Sequence, residues 1–453
     1  MNLEHKRVLV VGSGLSGVAA VKLLDAVGAN VILFDGNDKI TEQEVKNKLP
    51  LNISFDIILG TLPNEMMETL DLVVLSPGVP TDLDYINAIR MRNIPIWGEI
   101  ELAYQFGHGK IAAITGTNGK TTTTALVGEI MKTYYDSVFV VGNIGMPYTD
   151  VALSTKDNSV IVAEVSSFQL ETIYDFKPNV SAILNITPDH LNRHHTMENY
   201  IEAKVNITKN QGKDETCVLN YEDEELRKIA SKLNTKVFYF SSGRELNTGI
   251  YLDKDGYIIL SEDGEKTSIC NMNELKLLGT HNYENVMAAI AIAIQLNVPI
   301  NYIYKAITSF VAVEHRIEYV TEKNGVTYYN DSKGTNPDAA IKGIQAMIAP
   351  TLLIGGGYDK DSDYDEWIEA FDGKVKYLIL LGQTREKIAK TAKKYGFKNI
   401  IMVDSLQEAV NVCTEKAEPG DAVLLSPACA SWGMFKSYEE RGRLFKEYVM
   451  NIK

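Results

Sequence analysis

The sequence predicts an α/β protein of three domains: an N-terminal Rossmann-like parallel sheet, a central P-loop mononucleotide-binding sheet with a small antiparallel element, and a C-terminal Rossmann-like sheet. Three observations carry that expectation. Short apolar runs alternate with helical stretches along most of the chain, the pattern of a parallel, doubly wound sheet. Glycine-rich turns follow two of those runs, one ending at Gly17 and one at Gly119. At 453 residues the chain is too long for one ordinary domain.

The first unit is placed at residues 1–97. Arg7 to Val11 reads as a strand, followed by a glycine turn and a helix through about Val27. Asn30 to Phe34 is a second strand, and Leu72 to Leu75 is an apolar run that ends in Ser76-Pro77-Gly78. The second unit, 98–312, begins near Gly98. Lys110 to Ile114 enters the turn Thr115-Gly116-Thr117-Asn118-Gly119-Lys120, and a helix follows to about Tyr134. Val160 to Val165 and Val180 to Leu184 are buried-strand candidates. From Cys217 to Ile269 the strands shorten and are divided by Asp255-Gly256 and Asp263-Gly264, which suggests an antiparallel element. A helix around Asn285 to Gln295 closes the unit. The third unit, 313–453, offers strands at Tyr328–Asn330, Thr351–Ile354, Tyr377–Leu381, Ile400–Val403 and Ala422–Leu425. Hinges are expected near Gly98 and Val313.

Composition narrows the function classes. Apolar residues make up 45% of the chain, enough for real cores. No run of about 20 apolar residues is present, so no membrane span is expected. Met1 to Arg7 is charged and leads straight into a strand, unlike a secretory signal. The four cysteines lack disulfide or zinc spacing, as expected in a reducing cytoplasm. A net charge of −14 argues against nucleic-acid binding through the general field of the protein. Polyphosphates would have to be held locally, by backbone amides, a few cations and metal ions.

The strongest local signal is the phosphate loop. Its glycines let backbone amides approach phosphate oxygens, Lys120 suits the β- and γ-phosphates, and the Thr121 hydroxyl suits magnesium. The helix that follows adds its positive N-terminal end. Ile114 stands where the common pattern has its first glycine, so the loop is a variant. The turn Gly12-Ser13-Gly14-Leu15-Ser16-Gly17, with Asp35 further on, fits a dinucleotide, the pyrophosphate of a UDP-sugar, or a structural turn alone. Glu164, at the end of a buried strand, reads equally as a magnesium ligand and as a strand-end charge. His190 reads as a ligand or a loop histidine, and Lys204 by default as a solvated helix lysine. In the third unit, Arg316 and Lys333 suit an anionic intermediate and Asp331 a nucleotide hydroxyl or base. Ordinary turn chemistry would explain any one of these alone.

Together these segments resemble the Mur ligase family from the first strand to near the C-terminus. The family's TGTNGKT loop is present at Thr115–Thr121, including its non-glycine neighbour Ile114. The D-glutamate-adding branch is matched by the glycine turn, by Ser76-Pro77-Gly78, and by Glu-Val-Ser-Ser-Phe-Gln-Leu-Glu at 164–171. It is also matched by Asn330–Asn336 and by Ser-Pro-Ala-Cys-Ala-Ser at 426–431. The Rossmann-like start sets the chain apart from folylpolyglutamate synthases, and the Asp-Asn-Pro-Arg motif of diamino-acid-adding siblings is absent. Outside the ligases, the alternatives are a nicotinamide oxidoreductase and an inactive nucleotide sensor.

The resemblance implies a cytoplasmic, monomeric, ATP- and magnesium-dependent ligase acting on UDP-N-acetylmuramoyl-L-alanine and D-glutamate through an acyl phosphate. It implies roles at ATP for Gly116, Thr117, Asn118, Gly119, Lys120, Thr121, Thr122, Asn282, Asn285, Arg316 and Asp331. Thr121, Glu164, His190 and Lys204 would serve metal, Lys204 as its carbamate, and Lys333 would stand near the reacting groups. Gly14, Leu15, Ser16, Asp35, Ser76, Gly78 and Asn143 would hold the UDP-sugar. Thr335, Lys360, Ser431 and Tyr438 would hold D-glutamate; Tyr438 keeps the ring where Phe is usual, and Lys360 is placed by the glycines at 355–357.

Overall fold

The computed structural model describes residues 2–452 except 144, 278, 312 and 313, and for Asn192 the backbone alone. The chain forms two compact units. One is Met1–Asn271 with Glu284–Ile307, and the other is Met272–Tyr283 with Thr308–Lys453. The boundary expected at 312/313, with its hinge, lies outside the described residues.

The first unit contains two sheets. In the N-terminal one, β1 (Arg7–Val11), β2 (Asn30–Asp35), β3 (Phe55–Leu59), β4 (Leu72–Leu75) and β5 (Ile96–Gly98) run parallel in the order β3-β2-β1-β4-β5. Val8–Val11 and Leu72–Leu75 are buried on both faces, which is why they read as unbroken apolar runs. The order reverses between β1 and β4. The Gly12 and Ser76 turns therefore share the crevice at the strands' carboxyl ends.

The central sheet has nine strands. They are β6 (Lys110–Thr115), β7 (Val138–Gly142), β8 (Val160–Glu164), β9 (Val180–Ile183), β10 (Thr216–Asn220), β11 (Lys236–Ser241), β12 (Gly249–Leu252), β13 (Tyr257–Glu262) and β14 (Glu265–Asn271). Their order is β14-β13-β12-β11-β10-β9-β6-β8-β7. The antiparallel element starts later than the sequence texture suggests. β10, β11 and β12 continue the parallel pairing, and only β12-β13-β14 are antiparallel. Helix Glu224–Ala230 supplies the crossover between β10 and β11, while the Asp-Gly signals lie on the last two connections alone. Asp263 and Gly264 both have positive φ, as a tight hairpin turn requires.

In the second unit, β15 (Glu318–Lys323), β16 (Val326–Asn330), β17 (Thr351–Gly355), β18 (Val375–Leu380), β19 (Ile400–Met402) and β20 (Ala422–Leu425) follow the order β15-β16-β20-β17-β18-β19. All pairs are parallel except β15 with β16. β16, β20 and β17 are neighbours, so the three motifs that follow them emerge side by side. Among the described residues, no helix is long and apolar enough to cross a membrane.

Candidate functional site

In the first unit the site is built around β6. This strand lies between β9 and β8, so its loop opens where the strand order reverses. Gly116 and Gly119 have φ of +149° and +84°. At Gly119 a Cβ would also come within 2.2 Å of Asn285 Oδ1. Helix Lys120–Lys132 starts there with no side-chain cap, and its positive N-terminal end follows directly on the glycine loop, where it favours an anion. Asn185 braces the loop from beyond β9. Its Oδ1 accepts from Asn118 N at 2.8 Å, its Nδ2 donates to Asn118 O at 3.1 Å, and its carbonyl accepts from Thr117 N at 3.0 Å. The Thr117 hydroxyl lies 3.1 Å from that of Tyr200.

Two lysines meet over this loop. Lys120 Nζ donates to the carbonyls of Gly116 and Thr117, both at 2.9 Å, and Lys204 Nζ donates to the same Gly116 carbonyl at 2.8 Å. Lys204 is buried rather than solvated, and its ammonium lies 4.5 Å from the Tyr200 ring centroid. Burial first, and the Lys120 charge second, hold the Lys204 pKa well below its ordinary value. Thr121 is half-buried at the start of the helix. Thr122 is buried, and among the described residues its hydroxyl has no partner.

Glu164 ends β8 and is buried. Oε1 accepts from Asn143 Nδ2 at 2.9 Å, while Oε2 is enclosed without a partner among the described residues. A hard oxygen donor with an open lone pair, beside a phosphate loop, fits a magnesium ion. Asn143, expected at the sugar, is thus bonded to the residue expected at the metal. His190 has φ of +53°, pairs with Asp189 at 3.5 Å, and sets its ring against Phe168. His194 lies one helical turn on and is buried. It lies 2.9 Å from Ser167 Oγ and 3.3 Å from Glu171, and burial lowers its pKa. Sequence reasoning missed His194, Asn185 and Tyr200. The i, i+4 spacing of His190 and His194 was the available signal for the first.

The sugar-nucleotide candidates line the crevice of the N-terminal sheet. Gly12 has φ of +99°, and a Cβ on Gly17 would meet Gly12 O at 1.8 Å, so this turn packs closely on its helix. Ser13 N and Oγ donate to Asp35 Oδ2 at 2.9 and 2.6 Å. Burial works to raise the Asp35 pKa, but the bonds from Ser13 and Asn37 and the Lys48 charge leave it lowered. Ser76 Oγ donates to Gly12 O at 3.4 Å, which ties the two turns together. Gly14, Leu15 and Gly78 are exposed along the rim, and Ser16 is half-buried. Past Gly78, the Val79 carbonyl accepts from Arg193, which also pairs with Glu171 at 2.9 Å.

In the second unit, the residues after β16, β17 and β20 interlock. Asp331 N donates to Leu425 O, and Ser426 Oγ donates to Asp331 Oδ2 at 2.7 Å. Asp331 Oδ1 is buried without a partner among the described residues. Burial raises its pKa to about 6, against the Arg316 charge and the Ser426 bond. Such an acceptor suits a ligand hydroxyl. Buried Arg441 donates to Ser332 Oγ and O and to Cys429 O, locking the motif after β16 to the one after β20. Ser332 Oγ donates to Tyr438 O, and the Lys333 ammonium lies 5.6 Å from the Tyr438 ring centroid. Thr335 N donates to Lys333 O, Ser431 is buried, and Tyr358 N donates to Ala430 O. Exposed Lys360 stands 5.1 Å from the Trp432 ring centroid. Asn282 is buried and belongs to this unit, whereas Asn285 belongs to the first.

Three family models match in succession. The MurD-like N-terminal domain of Mur ligases matches residues 6–98, the Mur ligase middle domain 114–293, and the Mur ligase glutamate ligase domain 315–429. The chain is 64% identical to UDP-N-acetylmuramoylalanine–D-glutamate ligase of Lachnoclostridium phytofermentans, over all of both chains. It is 55% identical to the protein of the same name from Lachnospira eligens, again over all of both. Among solved structures, UDP-N-acetylmuramate-alanine ligase MurC of Thermotoga maritima aligns with a TM-score of 0.61 at 21% identity, covering 99% of this chain and 100% of that one. At that identity the likeness is one of fold.

Proposed function

This chain belongs to the Mur ligase family, and on that premise we propose that it joins D-glutamate to UDP-N-acetylmuramoyl-L-alanine at the expense of ATP, a step in making peptidoglycan precursors. The observation that carries the reading is full-length identity of 64% with a relative of that printed activity. The loop, the two lysines and the open carboxylate described above support it.

The chemistry follows from the residues. A carboxylate is a poor electrophile, so the L-alanine carboxylate first attacks the γ-phosphorus of ATP, giving an acyl phosphate and ADP. The D-glutamate amine then attacks the acyl carbon, an amide forms, and phosphate leaves with one oxygen of the original carboxylate. Amides of Gly116–Gly119 and the helix start hold the β- and γ-phosphates, and Lys120 offsets the charge spread over their oxygens. Magnesium would be held by Thr121, Glu164 and His190 and would supply charge neutralisation at the phosphates. Lys204 supports metal as its carbamate, because a lysine whose ammonium is disfavoured offers the free amine that carbon dioxide needs.

Residues 1–97 take the sugar nucleotide through Gly14, Leu15, Ser16, Asp35, Ser76 and Gly78, with Asn143 from the central domain. Residues 98–312 take ATP, with Asn282, Asn285, Arg316 and Asp331 serving its adenine and ribose. Residues 313–453 take D-glutamate through Thr335, Lys360, Ser431 and Tyr438, with Lys333 near the reacting groups. The enzyme works in the cytoplasm, as a monomer. Isotope transfer tests the pathway. With oxygen-18 in the substrate carboxylate, each turnover should deliver one label into inorganic phosphate. Unlabelled phosphate would overturn the acyl-phosphate route.

A further inference from the structure

The corner at the end of the N-terminal sheet delivers two carboxylates into the central domain. Helix Glu99–Tyr104 follows β5 without a loop, and Glu99 and Glu101 on it are both buried. Glu101 accepts the N–H groups of Tyr174, Asp175 and Phe176 at 2.8 to 3.0 Å. Glu99 Oε1 accepts from Gln169 Nε2 at 2.6 Å. Gln169, also buried, uses its own Oε1 to accept from Ser166 N and Oγ at 2.8 and 2.9 Å, and Ser166 Oγ accepts from Gln169 N. Ser166 stands two residues after Glu164. The backbone repeats the attachment, since Gly98 N donates to Thr172 O at 2.9 Å.

Packing alone gives no reason for an acid at position 99. A buried carboxyl is costly to desolvate, and Glu99 Oε2 has no partner among the described residues. What the acid does is settle the Gln169 amide. An amide presents a donor at one end and an acceptor at the other. With an acceptor fixed at position 99, Nε2 must face Glu99 and Oε1 must face Ser166. Turned over, Gln169 would set its NH2 against the Ser166 N–H and lose that bond, and toward an ionised Glu99 its oxygen would face a carboxylate and lose the second.

We propose that Glu99 is a positioning residue for phosphoryl transfer, acting through Gln169 to fix the Ser166 turn and with it the direction of the Glu164 carboxylate. The inference rests on the ligase reading, in that it takes Glu164 to serve metal. It also gives the sugar-nucleotide sheet a mechanical connection to the phosphate site, because β5 pairs with β4, the strand that leads into the Ser76 turn.

The test uses the full chain with Glu99→Met, which keeps volume and removes the acceptor, and Glu99→Gln, which keeps an oxygen acceptor. Manganese binding is followed by electron paramagnetic resonance in the presence of a non-hydrolysable ATP analogue, and amide exchange is followed across Val165–Thr172. Glu99→Met should weaken manganese binding about tenfold and speed exchange in that segment, whereas Glu99→Gln should stay within about twofold of wild type. Equal manganese affinity in Glu99→Met and wild type, or an equal loss in both variants, would overturn the proposal. If Glu99→Met does not fold, Glu99→Ala is read by the same criteria. Neither readout needs turnover, so a wild type inactive with D-glutamate would count against the ligase reading while the role of Glu99 is still decided.

Discussion

Replacing Glu99 by glutamine removes a buried titrating group while keeping its shape. Burial raises this carboxyl from 4.5 to about 7, with the Gln169 bond acting downward and the Asp150 charge upward. Asp150 is itself paired with Lys22 at 3.3 Å. In the unfolded chain the proton leaves near 4.5, so between the two values the folded protein holds a proton that the unfolded chain has lost. The contribution of this group is therefore complete below pH 4.5 and is lost as pH rises through about 7. At the alkaline limit the loss is about 3 kcal/mol. Glu99→Gln does not titrate, so its stability relative to wild type should climb across this window and level off above it. Thermal melts of both proteins from about pH 5 to about pH 8 should show the difference in Tm growing by about 5 °C in favour of the variant. A difference that stays level, or one that shrinks as pH rises, would refute the reasoning.

Gly119→Ala places a methyl group 2.2 Å from Asn285 Oδ1 at a positive φ. It should cost more than about 1 kcal/mol and abolish the rise in Tm that ATP gives wild type, as read in melts with and without nucleotide. Glu164→Gln should lower kcat by about 100-fold and raise the magnesium concentration needed for half-maximal phosphate release. Ionised Asp331 accepts from a nucleotide hydroxyl more strongly than the neutral acid does, and burial raises its pKa to about 6. The KM for ATP should therefore rise as pH falls through about 6, and Asp331→Asn should remove that dependence in a KM profile against pH.

The parts of the fold legible in the sequence are those where one residue type answers to one physical demand. β1, β4 and β20 have the expected bounds because each is a short apolar run buried on both faces. β3, β5, β7 and β15 were not foreseen. β3 is interrupted by the exposed Asp56, β5 is only three residues long, and β15 is a polar edge strand, whereas β7 is an apolar run, Val-Phe-Val-Val, that was passed over and that is only partly buried. The phosphate loop was legible because left-handed backbone and close packing leave only glycine at Gly119. Its supports were not. Thr117 meets Tyr200 across 83 positions and Gln169 meets Glu99 across 70, and no local pattern marks residues that become partners only when strands are set side by side. Lys204 shows the limit most clearly. A lysine on a helix reads as solvated, and burial beneath the Gly116 carbonyl is a property of the sheet beside it.

The most direct test of the central claim is phosphate release from ATP with magnesium and UDP-N-acetylmuramoyl-L-alanine, with D-glutamate, L-glutamate or other amino acids added singly. The account predicts release that depends on D-glutamate, together with a UDP product heavier by one glutamate residue in mass spectrometry. Release supported by another amino acid, or none with D-glutamate, would contradict it.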